Sequence, residues 1–383
     1  MESLTFNHFV SLTIVFVSWI LILFLLTAKT KNRISNLILV AFLLVFAQDS
    51  SGLFASKFVY PNYPGFGMVI NSTVFLKMPL LYLYLLSVIY SDFKLSKKHL
   101  LHLFPFVINF IIFIPRYYSK SFDAKWAFLD APNFERTFEI ISSYIIVHLQ
   151  IIFYGILCFI LIKKYKKLLL ENYSNASLFN YKWLFQLVGI LMLGALIATL
   201  KNVFRFTHID SAYTYTYFFS SMLALGLISW MVLKALHNPE IFRGVKSNLQ
   251  LVKHFVPSKP VSTSNEIENS EIKALKSFMS NNEPFLNPSL SVEELATQIK
   301  IPSKELSILI NHNLNQHFFD FVNSYRIEKA KELLGDPNKK QLTVLEILYE
   351  VGFNSKSSFN TAFKKQTQQT PTQYRLSTLK SAS

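Results

Sequence analysis

Charge is scarce in this chain, and cysteine is almost absent. Only 16% of its 383 residues are Asp, Glu, Lys or Arg, against about a quarter in ordinary soluble domains. So few charges cannot cover a water-facing surface of this size. A single cysteine, Cys158, excludes an intrachain disulfide and any Cys-based zinc site, and its apolar neighbours make it a buried thiol. Catalytic signatures are missing as well: there is no phosphate-binding GxxxxGK[ST], no HExxH, no GxSxG and no Cys pair. Nor is there a recognisable kinase or phosphoacceptor region, so neither an enzyme nor a cofactor is implied. His312 and His317, five apart, are not read as a metal pair. Acidic residues are fewer than basic ones, 23 against 38, for a net charge of +15. That invites a nucleic-acid reading of the whole chain, but the distribution argues against it. Up to Val256 there are 23 basic and 10 acidic residues; beyond it there are 15 and 13. The excess lies in the apolar half, where it reports topology rather than an electrostatic footprint for DNA.

What the chain has in abundance is apolar length. Hydrophobic residues make up 51% and aromatic ones 15%. Seven apolar stretches approach or exceed what is needed to cross a hydrocarbon layer of about 30 Å. They run over Phe9–Thr27, Ile34–Ala55, Gly67–Tyr90, His99–Tyr117, Glu139–Ile162, Tyr181–Phe204 and Tyr213–Leu236. Gln48, Asp49, Ser50 and Ser51 interrupt the second. The N-terminus has no basic residue and no small-residue cleavage site, so the first stretch does not read as a signal peptide. Lys29, Lys31 and Arg33 occupy the first connection, Lys94, Lys97 and Lys98 the third, and Lys163, Lys164, Lys166, Lys167 and Lys182 the fifth. The positive-inside rule then puts the odd connections in the cytoplasm, the N-terminus outside and the C-terminus inside.

Ionisable groups within such spans are expensive and default to functional candidates. Asp49, Lys77, His148 and Lys201 are the candidate ligand-binding residues, with Gln150 a further polar group. At 1.5 Å per residue, Lys77 lies about 15 Å, His148 about 13 Å and Asp49 about 9 Å below the outer surface. The sharp expectation is an outward-open pocket in which Lys77 pairs with Asp49 and meets a small-molecule or envelope signal; the plainer one is a structural interhelical pair. Tyr82, Tyr84, Tyr90, Tyr213, Tyr215 and Tyr217 read as packing and interface anchors. Pro79, Gly189, Gly194 and Gly226 permit kinks or close packing.

Beyond His237 the composition changes. Pro257–Asn265 is a Pro/Ser-rich linker. Glu266–Asn281 has Ile267, Ile272, Leu275, Phe278 and Met279 on roughly one side, an amphipathic helix whose partner is the following domain or its own copy in a homodimer. Two helix starts of one design follow. Ser291 with Glu294, and Thr343 with Glu346, both fit the capping box, and the pairs stand 52 residues apart. Each opens a short helix, a break and a second helix. Leu306 corresponds to Phe359 and Ile310 to Phe363, now 53 apart, so the second turn is one residue longer. Two tandem helix-turn-helix units are the reading. The pairs Leu306/Ile310 and Phe359/Phe363 should point inward. Lys304, Ser307, Ile308 and Asn311, and then Lys356, Ser357, Asn360, Thr361 and Lys364, should face outward. Asn can pair with adenine and Ile308 can touch a thymine methyl; Lys364 and Lys365 suit phosphates. Phe318–Leu334 between the units spans about 25 Å, which with flanking turns allows two major-groove contacts about one DNA turn apart.

At this point a resemblance becomes specific. Leu295-Ala296, Leu306-Ser307, Arg326 through Ala330, Leu333-Leu334, Val351-Gly352-Phe353, Phe359, Phe363 through Lys365 and Thr370 through Arg375 stand in the order seen in the DNA-binding domain of AraC/XylS-type bacterial regulators, which this segment resembles. The resemblance covers under a quarter of the chain. It implies that the outward residues named above read bases or grip phosphates, and that Arg326 makes a core or backbone contact. Asn315 and Gln368 stand where that family usually has Gly. The expectation is therefore an all-α protein: a seven-helix transmembrane domain over 1–238, a cytoplasmic linker and amphipathic helix over 239–284, and an AraC-like domain over 285–383. It would sit in the bacterial inner membrane, with the lipid bilayer and double-stranded DNA as partners. The competing expectation is a membrane receptor or transporter whose helical tail binds a protein.

Overall fold

An apolar run longer than a bilayer is thick can satisfy its own backbone only as a helix or within a closed barrel. In the computed structural model seven helical segments among the described residues are long and apolar enough to cross a membrane. Residues 5–27, 33–59, 62–90, 92–175, 181–207, 209–237 and 265–381 are described, and among them every named element is helical. Lys29, Lys31, the linker before Asn265 and the Ile267 side chain lie outside that description.

The chain divides into two units: Met1–Ile162 with Tyr181–Ser247, and Lys163–Asn180 with Asn248–Ser383. The first contains α1 (Phe6–Thr27), α2 (Arg33–Ser50), the short α3 (Gly52–Phe58), α4 (Pro64–Ser72), α5 (Lys77–Ile89), α6 (Phe104–Phe113), α7 (Phe122–Leu129), the membrane part of α8 (Phe138–Asn172), α9 (Tyr181–Phe206) and α10 (Asp210–His237). Helix α1 packs on α2 and α10, α2 on α5, and α9 on α10. Apolar side chains also face away from the core; on α8 these include Ile145, Leu149, Ile152, Phe153, Ile156 and Ile160. An exposed stripe of that kind suits lipid rather than water.

Several segments depart from the expected spans, each for a visible reason. The second span stops at Ser50, because the polar run through Ser51 and the following Gly52 break it before Ala55. The fourth is irregular: a 3-10 segment over Lys97–Leu103, then α6, then a π turn over Ile114–Tyr118 that contains Pro115. The third breaks at a 3-10 turn over Thr73–Leu76. Pro79 has no amide hydrogen to give the carbonyl four residues back, and the Gln150 side-chain amide donates to that Phe75 carbonyl at 2.8 Å instead. Gln150 is buried for this reason. Helices α9 and α10 run unbroken past Gly189, Gly194 and Gly226. Close packing is found instead at Gly155, where a Cβ would meet the Met192 sulfur at 2.5 Å.

The fifth span is the largest departure. It runs on to Asn172, 35 residues in all, because no Gly or Pro interrupts 156–172. At 1.5 Å per residue the helix is about 52 Å long, some 20 Å more than a hydrocarbon layer requires. Its end, from Lys163 onward, belongs to the second unit.

That unit also holds α11 (Asn265–Asn282), α12 (Val292–Ile299), α13 (Ser303–Ile308), α14 (Phe318–Gly335), α15 (Val344–Glu350), α16 (Lys356–Thr367) and α17 (Pro371–Ser381). It has two apolar clusters, one per helix-turn-helix. The first gathers Leu275 and Met279 of α11 with Leu295, Leu306, Ile310, Phe318 and Val322. The apolar side of the amphipathic helix is thus used within its own chain. The second gathers Ile327, Leu334, Ile347, Phe353, Phe359 and Phe363. Helix α14 contributes to both and so joins them.

Candidate DNA-binding and ligand-binding sites

Both capping boxes form. The Ser291 hydroxyl accepts from the Glu294 amide at 3.2 Å and the Glu294 carboxylate accepts from the Ser291 amide at 3.0 Å. Thr343 and Glu346 repeat this at 3.1 and 2.6 Å, and the Thr343 amide holds the Glu346 carboxyl below its ordinary pKa. Leu306, Ile310, Phe359 and Phe363 are fully buried, so each second helix is rotated as the apolar spacing requires.

The faces left over differ between the two units. On α16, Lys356, Ser357, Thr361, Lys364 and Lys365 are exposed and Asn360 is half-buried. Lys365 also pairs with Asp320 at 2.7 Å. In the first unit Lys304 is exposed and Ile308 half-buried, but Ser307, expected outward, is buried, with only 5% exposure. A π turn over Leu309–Asn313 follows α13, and Leu309 is buried as well. Asn311 is turned to accept from the Phe318 amide at the start of α14 at 3.2 Å and to donate to Ser307. Ser307 and Asn311 thus hold the first unit together in this state. The residues at the two family glycine positions, Asn315 and Gln368, have φ of 49° and 61°, the left-handed conformation that Gly adopts most easily.

Two positions explain why the motif residues are what they are. Gly352 has φ of 88°, and a Cβ there would come within 2.7 and 2.8 Å of the Phe285 and Leu286 carbonyl oxygens. Arg326 is 1% exposed, and burial pulls its pKa down to about 10. Its guanidinium donates to the Phe285 carbonyl at 2.7 Å, the Asn287 carbonyl at 2.8 Å and the Asn323 side chain at 3.1 Å. It also donates to the Ser174 carbonyl at 3.2 Å and the Ser174 hydroxyl at 3.0 Å.

Ser174 lies two residues beyond the end of α8. The Ser174 amide donates to the Leu290 carbonyl at 3.0 Å, and the Asn311 amide group reaches the Glu171 carbonyl at 3.4 Å. The end of the fifth span is therefore built into the first helix-turn-helix. Sequence reading missed Glu171 and Ser174; the one available signal was the unbroken helical composition past Ile162.

In the first unit the four candidate ligand-binding residues line one cavity of about 950 Å³. Lys77 pairs with Asp49 at 2.6 Å and lies 5.2 Å from the centre of the Phe46 ring. His148 Nδ1 is 2.6 Å from the Tyr144 carbonyl; a carbonyl only accepts, so Nδ1 carries the proton. Lys201 stands 5.3 Å from the centre of the Tyr217 ring. Arg205 and Glu135, a pair the sequence did not disclose, bond at 2.6 Å on the same wall. Tyr213 and Tyr217 also line this cavity, where interface anchoring had been expected.

Residues 295–377 match a family described as helix-turn-helix domain. An uncharacterized HTH-type transcriptional regulator of Staphylococcus aureus (strain COL) is 30% identical over 122 residues, which are 32% of this chain and 16% of that protein. A regulator of the same description in strain MSSA476 aligns over the same shares. A further uncharacterized HTH-type transcriptional regulator, from Pseudoalteromonas carrageenovora, is 39% identical over 72 residues, 19% of this chain and 38% of that protein. The chain thus spans well under half the length of these relatives. No solved structure matches it. Among the described residues the named elements are all helical, and seven helical segments are long and apolar enough to cross a membrane. The chain's C-terminal part carries the match to a helix-turn-helix domain, and the relatives that share it are described as HTH-type transcriptional regulators.

Proposed function

We propose that the chain is a membrane-embedded, sequence-specific transcription regulator that senses a signal through its seven helices and controls promoters through its tandem helix-turn-helix domain. The observation that carries this reading is α8. One continuous helix is long enough to cross the bilayer and ends at Asn172, two residues before Ser174, which is bonded to Arg326 of the DNA-binding domain. Its lysines 163, 164, 166 and 167 mark the cytoplasmic side by the positive-inside rule, the side on which DNA is met. The cavity then lies toward the outer half of the bilayer. A displacement of α8 is delivered at Glu171 and Ser174, beside the first recognition helix. The signal route is thus the fifth helix.

On DNA, α16 supplies base-reading Asn360, Ser357 and Thr361 and phosphate-gripping Lys356, Lys364 and Lys365, while Lys304 and Ile308 serve the first unit. The test is the isolated segment 265–383, which keeps α11 and both apolar clusters. It should shift promoter DNA sequence-selectively, more weakly as salt rises. If the segment folds and no such shift occurs, the reading fails.

A further inference from the structure

Several ionisable side chains gather in the cavity of the first unit. Asp49 is engaged by Lys77 at 2.6 Å, and Glu135 by Arg205 at 2.6 Å. Lys201 lies close enough to interact electrostatically with Asp49, Lys77 and Arg205. Among the described residues no carboxylate comes within ion-pair distance of Lys201; its near neighbour is the Tyr217 ring. With Asp210, three cations and three carboxylates line the cavity; Lys77 and Arg205 are each paired with a carboxylate, whereas Lys201 has none at ion-pair distance among the described residues.

An ammonium held within a membrane span is costly until something compensates it. The rest of the lining is largely apolar and aromatic, including Ile14, Phe42, Met78, Phe113 and Leu227. The volume falls within the range of small-molecule sites. We propose that this cavity binds a small organic monocarboxylate, with its carboxylate at Lys201 and its apolar body among the aromatic side chains. The inference rests on reading the membrane unit as the sensor, and it names the class of signal.

The test uses the full chain in nanodiscs of neutral phosphatidylcholine. Thermal stability is followed while 3-phenylpropanoate, 3-phenylpropanol or 3-phenylpropylamine is added. The carboxylate should stabilise saturably, and the alcohol and amine should not. Lys201→Met should weaken carboxylate affinity about tenfold to a hundredfold, the loss expected for a hydrogen bond to a charged group. Asp49→Asn, which releases Lys77, should strengthen it; this arm decides the matter if Lys201→Met does not fold. Stabilisation by the amine, no saturable response to the carboxylate, or unchanged affinity in both variants overturns the site. Binding is read without DNA, so these outcomes are separate from a failure of the regulator reading, which would appear as carboxylate binding with no effect on promoter occupancy.

Discussion

Arg326 and Ser174 meet twice: one guanidinium nitrogen donates to the Ser174 carbonyl and another to its hydroxyl, at 3.2 and 3.0 Å. The same guanidinium ties down the Phe285 and Asn287 carbonyls, so a residue at the end of the fifth span shares an anchor with the core of the regulator domain. Ser174→Ala removes the hydroxyl acceptor alone and should lower stability by about 1 kcal/mol. Arg326→Ala strands the carbonyls as well as emptying a packed site, and should cost about 3 kcal/mol or more. Denaturant unfolding of the full chain in nanodiscs measures both. Equal costs would mean that Ser174 is the anchor's main partner and the carbonyls are not.

Much of this domain was legible because local chemistry and tertiary need coincide. The capping boxes declare two helix starts, and the spacing of Leu306, Ile310, Phe359 and Phe363 declares which face is buried. Ser307, expected outward, is buried, and the π turn that follows it over Leu309–Asn313 has no distinctive composition to announce it. The docking of Glu171 and Ser174 was hidden for another reason: its bonds run largely to and from backbone groups, which every sequence possesses. In the first unit depth counting offered Asp49 as a partner for Lys77, and the two pair at 2.6 Å. Glu135 was hidden because it lies in a connection between two spans, where depth counting does not reach.

Pro79 and Gln150 make a coupled pair of a kind that can be tested by a double-mutant cycle. Gln150→Leu leaves the buried Phe75 carbonyl without a donor and should destabilise by about 1–3 kcal/mol. Pro79→Ala restores a backbone amide four residues after Phe75. The double variant should therefore recover a good part of the loss, read as thermal unfolding in detergent. Purely additive effects would show that the carbonyl does not depend on this substitution of donors.

The two glycine questions have opposite answers. At Gly352 a methyl group would run into the Phe285 and Leu286 carbonyl oxygens at a φ of 88°. Gly352→Ala should cost about 3 kcal/mol or more, from strain and overpacking together. Gln368 already sits at φ of 61° on an exposed turn, where its side chain makes one 3.2 Å bond to the Lys365 carbonyl. Gln368→Gly should relieve the left-handed backbone and raise stability by up to about 1 kcal/mol. Chemical denaturation of segment 265–383 measures both; a loss at Gln368→Gly would assign the bond more weight than the backbone.

The outward face of α16 separates positioning from reading. Lys364 is exposed on the last turn of the helix, suited to a phosphate. Lys364→Ala should weaken binding about equally on all sequences and flatten the dependence of log affinity on log salt by about one unit. Lys365 shares its charge with Asp320 at 2.7 Å, so Lys365→Ala should flatten it less. Asn360 is half-buried on the same face, where an amide can pair with an adenine edge. Asn360→Ala should leave the salt slope alone, cost about 1–3 kcal/mol on the preferred site and relax selectivity at one base position. Fluorescence anisotropy with segment 265–383 across a salt series, on matched and single-base-changed duplexes, distinguishes the three. A salt slope that falls with Asn360→Ala, or a base preference that shifts with Lys364→Ala, would exchange their roles and require α16 to lie in the groove in a different register.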